Sequence, residues 1–69
     1  MNYAQVMDML HAYEAAHNRR PTCIKVGCAA YNSMRREIPL MYWEFGPSGA
    51  PMINGALVLV HPTYETSIA

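Results

Sequence analysis

In Pro51-Met52-Ile53-Asn54-Gly55-Ala56-Leu57-Val58-Leu59-Val60-His61-Pro62, an Asn-Gly pair separates two short apolar runs. Both central residues of the tight turn that joins antiparallel strands need positive φ, so Asn-Gly is the strongest short hairpin signal a sequence can carry. Met52–Ile53 and Ala56–His61 are therefore predicted as paired strands, with Pro62 ending the second.

Working outward, Gly46-Pro47-Ser48-Gly49-Ala50-Pro51 reads as a loop by composition. Leu40 to Phe45 reads as a further strand, with Met41, Trp43 and Phe45 alternating against Leu40, Tyr42 and Glu44. Before it, Tyr31, Met34 and Ile38 recur at helical spacing, predicting a helix over Cys28–Glu37 that Pro39 stops. Thr22 to Val26 reads as a strand with Ile24 and Val26 on one face and Cys23 and Lys25 on the other. The tail beyond Pro62 is polar and expected to be loosely held.

The N-terminal segment predicts a helix from Tyr3 to His17. Asn2 and Gln5 form a capping box, and Met1 and Val6 stand where a hydrophobic staple places them. Tyr3, Val6, Met7, Leu10, Tyr13 and His17 share one face, and Met9, Ala12 and Ala16 widen it. So wide an arc fits either a helix sandwiched by its own sheet or a second contact with another protein. Arg19 and Arg20 suit the negative helix end, and Pro21 forbids continuation. With the Asn54-Gly55 hairpin taken as one β unit, the order is α-β-α-β-β: a single α+β domain over 1–69, with two helices packed on one face of a small antiparallel sheet.

Composition then narrows the function. The chain has 69 residues, 52% of them hydrophobic and 14% charged, against a usual charged share of about 25%. A chain this short buries only about 60% of its unfolded surface, so a homo-oligomer or a protein partner is expected. Five basic and five acidic residues cancel, which speaks against direct nucleic-acid binding. No basic-then-apolar leader is visible at the start, and the apolar run Ala56–Val60 is too short to span a bilayer. The expected setting is intracellular, away from membranes.

Chemistry-bearing constellations are sparse. Cys23 and Cys28 are separated by four residues, unlike the two-residue zinc knuckle. Together with His11, His17 and His61 they match no zinc spacing, so no metal and no cofactor is expected. The four glycines build no phosphate loop, and no serine, cysteine or carboxylate has a partner at catalytic spacing. No catalytic residue is assigned. What stands out is the content of Tyr, Trp, Met and Arg, the types enriched at protein interfaces. Tyr42 and Trp43 adjoin in a predicted strand and must face opposite ways. With Met9, Arg35 and Arg36, they are the candidate interface residues.

From Pro21 onward the chain resembles the peripheral-domain segment of tailed-phage major capsid proteins. The matching residues are Pro21-Thr22-Cys23-Ile24-Lys25-Val26-Gly27, then Tyr31 and Met34 in a short helix, then Pro51 to Pro62. That last segment fits a "hydrophobic-x-Gly-x-x-Val-x-x-x-Pro" hairpin. The resemblance implies a small phage-encoded, non-enzymatic protein. Two roles follow as expectations: an inhibitor that occludes a host protein machine in the host cytoplasm, such as an anti-defence or anti-CRISPR protein, or a minor virion component such as a capsid cement protein. A small-ligand or metal-binding module ranks below both.

Overall fold

A computed structural model describes residues 1–69. Its first helix, α1 (Tyr3–His17), begins as the capping box requires. The Asn2 side chain accepts from the Gln5 N–H and the Gln5 side chain accepts from the Asn2 N–H, both at 2.9 Å. Asn18, in the left-handed region at φ 52°, closes the helix, a conformation that Asn tolerates better than most residues. Val6 and Leu10 are buried, and Tyr3 and Met7 pack against the core. Ala12, Ala16 and His17 are exposed, so the buried stripe is narrower than the apolar arc, and nothing beyond Leu10 is fully covered.

The remaining elements are β1 (Cys23–Val26), α2 (Cys28–Glu37), a 3₁₀ turn at Leu40–Tyr42, β2 (Trp43–Phe45), β3 (Pro51–Ile53), β4 (Ala56–Val60) and β5 (Ser67–Ile68). The protein is α+β, with the strands in one sheet in the order β2-β3-β4-β1-β5. Asn54 and Gly55 make the β3–β4 turn with φ of 50° and 80°.

Three features depart from the sequence reading. The sheet is mixed, because β1 lies parallel to β4 while every other pairing is antiparallel. Parallel neighbours need a long crossover connection, and α2 with the β2–β3 segment supplies it. The strand expected over Leu40–Phe45 starts only at Trp43. Pro39 starts a turn instead, in which the Tyr42 N–H donates to the Pro39 carbonyl. The tail is also held in place. Thr22 and Cys23 N–H groups both donate to the Ala69 carbonyl, the Ala69 N–H donates to Cys23, and Ile68 packs against the core. This satisfies the second edge of β1, which would otherwise stand open.

All the core strand residues lie on one face of the sheet: Ile24, Val26, Trp43, Ile53, Ala56 and Val58. They form a single buried cluster with Val6 and Leu10 of α1, Met34 of α2 and Ile38 just past it. Both helices therefore cover the same face, as expected. No helix is long and apolar enough to cross a membrane.

Candidate protein interface

The segment after α2 has two anchors and a bulge between them. Ile38 is buried at 2% exposure and Trp43 at 6%. The Trp43 indole N–H donates to the Ile38 carbonyl at 3.3 Å. Tyr31 meets the indole edge-on, with centroids 6.0 Å apart, and the Arg35 guanidinium lies 5.2 Å over its ring. With both ends drawn into the core, the residues between them are displaced outward. Leu40 is 69% exposed, Met41 81% and Tyr42 42%.

Phe45 extends this surface along β2 at 52% exposure. Strand β2 is an outer strand of the sheet, so its unpaired backbone edge adjoins the same apolar run. Edge strands are usually blunted by charge or proline. Here the strand itself carries one charge, Glu44, and the prolines at 39 and 47 lie outside it. Tyr42 is held by stacking on Tyr3, with centroids 4.2 Å apart.

The five residues that the sequence points to as interface candidates divide accordingly. Trp43 is core, and Tyr42 is the one of the pair left at the surface. Arg35 is exposed and borders the run through Trp43, and Arg36 is exposed beside it on α2. Met9 is half-buried and stands apart. Six residues on from Tyr3, it is turned about 240° around α1. Sequence reasoning misses Leu40, Met41 and Phe45 as surface residues. The signal is there in Pro39, which starts a turn as readily as it ends a helix.

Chemically, this surface offers flexible thioether and aromatic contacts. No cavity is present, and no three His, Cys, Asp or Glu side chains gather where a metal could sit. Cys23 and Cys28 are both free thiols. The one ion pair joins the Met1 ammonium to Glu37, with Ser33 in the same cluster. Its hydrogen bonds to the ammonium and to Ser33 hold the Glu37 carboxyl below the ordinary range.

Fold and surface together define a small α+β protein with an apolar outer strand. No family model matches the chain, and no curated protein or solved structure comes close enough to count as a match.

Proposed function

We propose that this chain is a non-enzymatic, phage-encoded protein-binding module that occludes a host protein through the Leu40–Phe45 surface. The observation that carries the reading is the run of exposed Leu40, Met41, Tyr42 and Phe45 beside an outer strand. Large apolar side chains gathered at one place mark interaction sites far more often than singly scattered ones do. Met and Tyr fit varied partner surfaces because one is flexible and the other amphipathic. The phage origin rests on the resemblance from Pro21 to Pro62.

The test is affinity capture from a lysate of phage-infected host cells, with Met41→Glu as the comparison. Met41 projects into solvent, so this variant keeps the fold, as circular dichroism should confirm. The expected result is a host protein retained by the parent chain and lost by the variant. Equal capture by both, or capture of virion proteins alone, would overturn the inhibitor reading.

A further inference from the structure

The side of the sheet facing away from the helices has its own pattern. Alternation places Cys23 and Lys25 of β1, Glu44 of β2, Met52 of β3, and Leu57 and Leu59 of β4 there. None of them belongs to the buried cluster to which both helices contribute; Glu44 is exposed and the other five are half-buried. The register sets Glu44, Met52, Leu57 and Cys23 in one row across four strands, with Leu59 and Lys25 in the next.

Lys25 and Glu44 are the only charged residues in the five strands. They stand on opposite sides of the apolar centre, three strand spacings across the sheet and one row along it, about 16 Å apart. Neither meets an opposite charge in its own chain. Glu44 accepts from the Gly55 N–H at 3.1 Å, and the Lys25 ammonium lies 5.8 Å over the Tyr64 ring.

We infer that this face packs against the same face of a second copy, in a twofold dimer with Glu44 of each chain paired to Lys25 of the other. A twofold axis lying in the interface between β3 and β4 exchanges the β2 side of one chain for the β1 side of its partner. That operation sets Met52 against Leu57 of the partner subunit, and brings each lone charge within one row of its opposite, inside the reach of a lysine side chain. Twofold interfaces must be self-complementary in this sense. Two sheets packed face to face at about 10 Å also give each chain a second core layer, which a domain of this size lacks. Glu44 lies within the Leu40–Phe45 segment, but alternation sets it on the sheet face opposite Trp43 and Phe45, so the inference does not rest on the role given to Leu40, Met41, Tyr42 and Phe45.

Lys25 is the only lysine, which makes the test specific. Isotopically heavy and light protein are mixed at micromolar concentration, treated with a zero-length carbodiimide and digested. The expected product is a Lys25–Glu44 amide of mixed isotopic composition, from a particle of twice 7.8 kDa by light scattering. Lys25→Glu and Glu44→Lys should each weaken association about tenfold or more, and the double variant should recover most of it. A monomer, a Lys25–Glu44 link found only within single chains, or a double variant no better than the singles would overturn the inference. So would a dimer whose association is indifferent to both reversals.

Discussion

Tyr3 and Tyr42 lie face to face, 4.2 Å between ring centroids and 16° from parallel. This stack ties the first turn of α1 to the exposed bulge, so the bulge is held in shape before any partner arrives. Preorganisation of this kind lowers the ordering cost of binding.

Tyr42 and Trp43 should therefore respond differently to truncation. Trp43→Ala removes a core aromatic and should cost about 3–5 kcal/mol of stability. Tyr42→Ala removes one stacking contact, worth about 0.5–1.5 kcal/mol, and should weaken partner capture while the fold persists. Urea unfolding of both variants, run beside the capture assay, checks this. Equal destabilisation by the two would refute the division.

The β3–β4 turn offers a backbone test. Gly55 has φ 80° with nothing within 4 Å of an added Cβ, so substitution there is opposed by conformation and not by crowding. Gly55→Ala should lower stability by about 1–2 kcal/mol. A substitution without effect on the melting temperature would show that the turn is not held in this conformation.

Gly27 reverses the case. Its φ of −77° suits any residue, but an added Cβ would lie 3.0 Å from the Tyr64 carbonyl oxygen. Gly27→Ala should cost about 1–3 kcal/mol through forced movement of the backbone that leads into β5. Hydrogen exchange should locate the loosening at Tyr64 to Ala69, and protection unchanged there would contradict the packing argument.

Glu37 predicts an acid limb. Its carboxyl is held below the ordinary range by the Met1 ammonium and then by Ser33. The folded state thus binds the proton less readily than the unfolded chain. Its stabilisation is complete above the unfolded-state value and is lost as pH falls through the lowered folded one. Glu37→Gln should melt lower than the parent near neutrality, and the two should converge in acid. A constant gap across that range would remove the charge from the explanation.

How much of this can be read in the sequence depends on the range of the interaction involved. Asn2 with Gln5, Asn54 with Gly55, and the Tyr31–Met34–Ile38 spacing are local signals, and each points to the element that forms. Simple alternation also sorts Ile24 and Val26 to one face and Cys23 and Lys25 to the other, as found. The parallel pairing of β1 with β4 and the seating of Ile68 beside Ile24 depend on residues far apart in the chain, and no local pattern encodes them. The bulge is hidden for a related reason. Leu40, Met41 and Tyr42 look like buried strand residues until Ile38 and Trp43 are known to occupy the core on either side.

The β1–β4 pairing also bears on how the chain reaches this state. Strands β2, β3 and β4 are neighbours in sequence and close short loops, whereas β1 must be carried back across α2 and the whole meander. Loop closure precedes the contacts that offset it, so the meander should form early and the docking of β1, then β5, should set the folding rate. Until that step the long edge of β4 stands open with Leu57, Val58 and Leu59 along it, an aggregation-prone species in its own right. Fractional transition-state values should accordingly be high at Ile53 and low at Ile68, and the reverse order would mean that the helices and β1 assemble first.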